Sequence, residues 1–229
     1  LRAGIPAKEL VVAVGVDVDE RLNESIRLAQ KMGIGIKEVE RRQIENMTGI
    51  ANHQGVALVV KPFQYSSQKE IFARASEPAL FIAVDGVTDP RNIGAIARSA
   101  AAFSADGLLI PERRNASLTA AAWKTSAGAA SRVPVALAAN LNSTIKEFQK
   151  RGLFVVGLDG GGDMSLPTFK LGNEPLLLVI GSEGKGLSRL VQENCDAILS
   201  IPIAKETESL NAGIAASVAL YEVAKARLK

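Results

Sequence analysis

Asp85-Gly86-Val87-Thr88-Asp89-Pro90-Arg91-Asn92-Ile93-Gly94-Ala95-Ile96-Ala97-Arg98-Ser99-Ala100 sets the architecture of the chain around it. Asp89 followed by Pro90 predicts a helix start: a capping carboxylate, then a proline whose fixed φ suits the first turn. On that helix Ile93, Ile96, Ala97, Ala100 and Phe103 recur at helical spacing and form the buried side. Arg91 and Arg98 lie two turns apart on another side, with Gly94 and Ala95 between them. The apolar run from Leu80 to Val84 reads as a strand, so the helix opens at a strand's carboxyl end. A flat surface of small residues flanked by two guanidiniums suits close approach of a phosphorylated ligand. Taken alone, the segment also reads as a solvated amphipathic helix with ordinary surface arginines.

The rest of residues 79–229 continues this alternation. Apolar strands are predicted at 80–84, 107–110, 133–137, 153–158, 176–180 and 197–201, and helices at 91–103, 117–130, 141–151, 187–194 and 210–227. Near-continuous apolar strands separated by helices argue an α/β fold, a mostly parallel sheet covered on both faces, with ligands beyond the strands' carboxyl ends. Residues 1–62 have a shorter rhythm: strands at 10–14, 34–39 and 56–60, helices at 21–31 and 43–48. That pattern suggests a separate small α/β sandwich. Residues 63–78, polar and partly helical, read as a linker.

Composition removes several chemistries. The 229 residues, 47% apolar, are ample for packed cores. One cysteine and one histidine exclude a disulfide framework and a Cys/His zinc site, so no metal is expected. A hydrolase triad would have to use His53, which lies in a different region from the other candidate residues; Cys195 reads as a small core residue. The net charge of +3 permits a nucleic-acid partner. Arg91, Arg98, Arg113, Arg114, Lys124 and Arg132 crowd the middle of the chain against only Asp89, Asp106 and Glu112. No apolar run approaches membrane-spanning length and no signal peptide is visible, so a cytoplasmic protein without a membrane partner is expected. Because the chain opens on Leu1 rather than methionine, a preceding N-terminal piece is also expected.

Gly181-Ser182-Glu183-Gly184-Lys185-Gly186 sits between a predicted strand and a predicted helix, where glycines let backbone approach a ligand. A phosphate-binding loop of the Walker type fails because Leu187 stands where lysine is needed. Glu183 would repel an anion, so a neutral or cationic ligand fits better; a purely structural turn is the plain alternative. Asp159-Gly160-Gly161-Gly162-Asp163 reads as a flexible loop, adjacent to the Gly181 loop if their strands are neighbours. Ile201-Pro202-Ile203 leaves the last strand, and Ser209-Leu210-Asn211 opens the final helix. Ser209 is the expected N-cap, a role that leaves Asn211 unexplained. The final helix has an apolar line (Leu210, Ile214, Val218, Tyr221) and an alanine line (Ala212, Ala216, Ala219), read either as a core contact or as a homodimer seam.

Three blocks in this order resemble the SpoU (TrmH-type) branch of the SPOUT RNA methyltransferases: residues 89–100, Val179-Ile180-Gly181-Ser182-Glu183-Gly184-Lys185-Gly186-Leu187, and Ile201-Pro202-Ile203 leading to Ser209-Leu210-Asn211. The first region, with His53-Gln54-Gly55-Val56-Ala57, resembles the L30e-like substrate-binding domain that precedes this catalytic domain. Within the family the likeness is strongest to members that 2′-O-methylate a guanosine in the peptidyl-transferase P-loop of 23S rRNA. The resemblance implies a deep trefoil knot, AdoMet held by backbone at Gly181, Ile201 and Leu210, and a homodimer acting on 23S rRNA or an assembling large subunit.

The family's general base falls on Arg98. An arginine does not readily lose its proton, so the reading gives Arg98 the 2′-oxygen or its neighbouring phosphate, and charge stabilisation. Asn92, Glu183, Ser209 and Asn211 would orient Arg98, the ribose and the cofactor loops; Arg91, Arg113, Arg114 and Arg132 would meet RNA phosphates. Other readings are a tRNA or antibiotic-resistance 2′-O-methyltransferase of the same fold, and an RNA-binding assembly factor with an inactive site.

Overall fold

The computed structural model describes residues 1–2, 4–49, 53–170 and 174–228. The chain forms two compact units, Leu1–Gln64 and Tyr65–Lys229.

The first unit runs β1 (Ala7–Ala13), α1 (Glu20–Lys31), β2 (Gly35–Val39), α2 (Arg41–Thr48) and β3 (Val56–Val60). β1 is central, parallel to β2 and antiparallel to β3. Its side chains alternate between faces, as a strand requires. Leu10 and Val12 pack with Leu22 and Ala29 of α1, whereas Val11 and Ala13 pack with Val39 of β2 and Ile44 of α2. His53 is buried, its Nδ1 accepting the Gly55 amide at 3.1 Å.

The second unit begins with α3 (Gln68–Ala73), then runs β4 (Leu80–Val84), α4 (Pro90–Ala102), β5 (Gly107–Pro111), α5 (Ala120–Thr125), β6 (Val135–Ala138), α6 (Leu141–Lys150), β7 (Phe154–Leu158), β8 (Met164–Ser165), β9 (Leu176–Ile180), α7 (Arg189–Asn194), β10 (Ala197–Ser200) and α8 (Ala212–Arg227). The sheet order is β6-β5-β4-β9-β7-β10-β8, and every described pair is parallel. One face carries Phe81, Ala83, Leu109, Ala136, Val155, Leu177 and Val179, which pack with Ile71 of α3, Ile145 and Phe148 of α6, and Val191 of α7. Phe72, Phe81 and Phe148 meet with centroids 4.4–5.2 Å apart, each pair adding about 0.5–1.5 kcal/mol beyond its buried area. The opposite face is covered by α4 and α8, which pack on one another.

Two local readings are corrected. Residues 65–78, expected as linker, are part of the second unit: Ser66 bridges to Ala136, and Ile71 is fully buried in the core. A polar surface with one apolar stripe looks like linker when only the polar majority is weighed. The single helix expected at 117–130 is broken. Ala127 takes a positive φ of 49° and Gly128 one of 81°, so α5 stops and a 3₁₀ turn, Ala129–Ser131, follows.

Candidate active site

Four adjacent strands, β4, β9, β7 and β10, end at one edge of the sheet, and each delivers a loop there. Between β4 and α4, Asp89 accepts the Arg91 amide at 2.8 Å and caps the helix, with Pro90 at its first position. The same carboxylate pairs with the Arg91 guanidinium at 3.0 Å, which holds the Asp89 carboxyl below the usual carboxylate range. Arg91 thus pairs with its own cap while its side chain stays largely exposed. Gly94 lies against α5: a Cβ there would fall 2.4 Å from the Ala122 carbonyl oxygen. Ala95 faces α8, and a Cβ on Gly213 would come within 2.7 Å of Ala95 Cβ. Arg98 occupies the stripe between these two contacts, exposed, and among the described residues no hydrogen bond or ion pair engages its guanidinium.

Between β9 and α7, Ser182 and Gly186 exchange two backbone hydrogen bonds of 2.9 Å each and close a turn that presents Glu183. Its Oε1 collects three donors: the Asn92 amide at 2.8 Å, the Asn211 amide, and the Ala212 backbone N–H at 3.3 Å. Asn211 also donates to Asn92 Oδ1 at 2.8 Å. One carboxylate thus ties the first turn of α4, the β9 loop and the start of α8. Asn92 is buried on the helix that carries Arg98, so the network fixes the position of α4.

The start of α8 corrects the capping assignment. Asn211, not Ser209, is the N-cap: its Oδ1 accepts the amides of Gly213 at 3.0 Å and Ile214 at 3.2 Å. Ser209 is exposed, two residues before that cap. Of the two readings of the alanine line, the core contact is the one seen. Ala212, Ala216 and Ala219 are buried within this chain, where α8 packs on α4, while Ile214 and Tyr221 remain 53% and 54% exposed.

A cavity of about 320 Å³ lies between the β7, β9 and β10 loops, a size suited to a small cofactor. Its walls combine apolar side chains (Leu158, Ile180, Leu199, Leu210) with glycine backbone. Gly181, Ile201, Ser209 and Leu210 all contribute. A Cβ on Gly181 would sit 2.5 Å from the Gly186 carbonyl carbon, so the turn closes only around glycine. Apolar walls for a ring, backbone polar groups for its edge, and two carboxylates, Asp159 and Glu208, against the single cation Lys185 in the lining fit AdoMet, a sulfonium cation. Among the described residues there is no cluster of three or more His, Cys, Asp or Glu side chains able to hold a metal ion.

Arg113 and Arg114 are exposed in the loop after β5, at the same carboxyl edge. Asn115 pins that loop beside α4, accepting the Val87 amide at 2.9 Å and donating to the Arg113 carbonyl at 3.1 Å. Arg132 is not brought there: it precedes β6 and lies at the amino edge of the sheet. Cys195 packs half-buried against the core, and burial, with Asp196 and Asp85 nearby, pushes its thiol up to about 12. Sequence reasoning pointed to the loop that Asp159 opens, but gave neither Asp159 nor Asp85 a role of its own. Both sit where an apolar strand gives way to glycine, which was the available signal.

A glycine-lined cavity at the carboxyl edge of a covered parallel sheet is the place where α/β proteins of this class bind their ligands. The family is shown by two matches: the SpoU rRNA Methylase family over residues 79–221, and the RNA 2′-O ribose methyltransferase substrate-binding family over residues 1–66. The chain belongs to the SpoU methylase family and is an AdoMet-dependent RNA methyltransferase. It is 54% identical over 229 residues to an uncharacterized tRNA/rRNA methyltransferase of Mycobacterium avium (strain 104), covering 99% of this chain and 74% of the relative. Among solved structures it is similar to the SpoU methyltransferase AviRb of Streptomyces viridochromogenes in complex with AdoMet, with TM-score 0.79 and 26% identity over 99% and 85% of the two chains. An AdoMet-bound rRNA methyltransferase of Sinorhizobium meliloti matches with TM-score 0.78 and 26% identity, over 100% and 83%. No described helix is long and apolar enough to cross a membrane.

Proposed function

We propose that this protein methylates a ribose 2′-hydroxyl of 23S rRNA, at a guanosine of the peptidyl-transferase P-loop, in the cytoplasm. The observation that carries the reading is the Glu183–Asn92–Asn211 network, which joins the cavity wall to the helix bearing the exposed Arg98 guanidinium. The family description over residues 1–66 supports ribose 2′-O chemistry, and the L30e-like character of that region favours rRNA as the target.

AdoMet, when bound, supplies a methyl group on a cationic sulfur. Backbone groups at Gly181, Ile201 and Leu210 hold the cofactor. Arg98, permanently charged, binds the ribose 2′-oxygen or its adjoining phosphate and stabilises negative charge that develops on that oxygen. Glu183, Asn92 and Asn211 keep Arg98 and the cavity in one alignment, on which transfer depends steeply. Ser209, exposed on the cavity wall, orients the ribose. Arg91, Arg113 and Arg114 meet phosphates, and residues 1–62 bring a further RNA surface. The working unit is a homodimer that buries Ile214 and Tyr221 of α8, since the alanine line is already used within the chain.

The test is transfer of labelled methyl from AdoMet to 23S rRNA from a strain lacking the P-loop modification, with tRNA as a parallel substrate and the product nucleotide mapped. A 2′-O-methylguanosine in the P-loop is expected. Label in tRNA alone overturns the target, and label on a base overturns the chemistry.

A further inference from the structure

The turn that presents Glu183 is held at its far end by two carboxylates. β9 lies between β4 and β7, and each neighbour ends in an aspartate: Asp85 after β4, Asp159 after β7. Consecutive amides leaving the turn point to opposite flanks. The Leu187 N–H donates to Asp159 Oδ2 at 2.8 Å, and the Ser188 N–H donates to Asp85 Oδ2 at 2.7 Å.

The two carboxylates differ in reach. Asp85 accepts the first amide before α7 and is not part of the cavity wall. Asp159 lines the cavity. Its Oδ1 accepts the Gly161 amide at 2.9 Å, and its Oδ2 also accepts Gln192 Nε2 at 3.2 Å. Thus one side chain joins the loop after β7, the loop after β9 and α7, and two of those three segments are walls of the same cavity. The fit is tight on the far side as well. A Cβ on Gly186 would fall 2.0 Å from Asp159 Oδ2, so the carboxylate fills the space a side chain would take.

We propose that Asp159 is a positioning residue for the methyl donor: its carboxylate sets the spacing of the two glycine loops between which AdoMet binds, while Asp85 serves the fold alone. An ionised carboxylate can accept all three donors, whereas an amide of the same shape accepts at one atom only and turns an N–H₂ toward the others. The cofactor loops are then held apart by facing donors. The inference rests on the cavity being the donor site.

The experiment measures AdoMet binding by calorimetry and steady-state transfer to rRNA for the unsubstituted protein, Asp159→Asn and Asp85→Asn, with Tm for each. Asp159→Asn is expected to raise both the AdoMet Kd and its KM about tenfold or more, with the RNA KM and kcat within about threefold. Asp85→Asn is expected to lower Tm without moving the AdoMet Kd. An Asp159→Asn protein that loses Tm but keeps its AdoMet Kd overturns the assignment, and so does an equal Kd change in Asp85→Asn. Failure of the unsubstituted protein to bind AdoMet overturns the site itself and is distinguishable from both. A second route approaches from the other wall. Gly186→Ala drives a methyl into the carboxylate, so its effect on Kd should shrink in an Asp159→Ala background; independent, additive effects contradict the coupling. Should Asp159 variants not fold, Gln192→Ala removes one of the three donors from the exposed side. An AdoMet Kd unchanged in Gln192→Ala counts against the proposal; a rise of about threefold supports it.

Discussion

Arg98 and Arg91 occupy one stripe of α4, yet their surroundings assign them different work. The Arg91 guanidinium is paired with Asp89, while that of Arg98 is exposed beside the Asn92–Glu183–Asn211 network. Replacing Arg98 with Ala is expected to reduce transfer by about 100-fold or more, the usual scale for losing one preorganised stabiliser of developing negative charge. AdoMet affinity, measured by calorimetry, should stay within about threefold, because the cavity is built by other loops. Normal turnover would remove Arg98 from the reaction. At this scale the sequence pointed to residues that the fold brings together, Asn92, Glu183 and Asn211, but it placed the helix cap on the wrong one. Ser209 and Asn211 are both competent caps, and two positions decide which amides lie in range. The hydrogen bonds place that role on Asn211, whose amide is left over to bind Glu183.

Packing of α4 depends on what its glycine lacks. A methyl at Gly94 would sit 2.4 Å from the Ala122 carbonyl, so α5 or α4 must move. In an exposed helix Gly→Ala adds roughly 0.5–1 kcal/mol of stability. Here overpacking should reverse the sign, costing about 1–3 kcal/mol. Thermal unfolding of Gly94→Ala should therefore show a Tm lower by several degrees, and a raised Tm would mean the helix contact is looser than described. The start of α4 was legible because it is local, an Asp-Pro pair and a helical stripe of apolar residues. The break after α5 was hidden in a run of alanines, where nothing but Gly128 marked the turn. The role of Asp159 could not be read at all without knowing that β7 and β9 are neighbours, which is a fact of sheet order. The same holds for Arg132, placed with the other arginines by sequence proximity and separated from them by the height of the sheet.

Across the whole molecule, the charge asymmetry of the sequence becomes a geometric one. Arg113 and Arg114 stand at the carboxyl edge, in a loop tied to the start of α4 by Asn115 and by the Ala116 amide, which donates to the Val87 carbonyl at 2.8 Å. Their replacement by Ala should weaken RNA binding in proportion across sequences. The slope of log affinity against log salt should fall by roughly 0.7–0.9 for each phosphate that is no longer neutralised. Binding measured from low to moderate salt checks this; an unchanged slope would move the RNA path to another face.

The sheet order carries a consequence for the birth of the protein. Leu176 pairs with Leu80 on one side and with Phe154 on the other, so β9 fills a slot between two strands that are both made before it, β4 long before. Until it arrives, β4 and β7 each hold an open edge of unpaired amides and carbonyls, the kind of edge that recruits wrong partners. The two glycine loops, the aspartate between them and the asparagine cap of α8 come together only after that insertion. A nascent chain paused before residue 180 therefore lacks most of the wall of the donor cavity, which residues 180–215 supply.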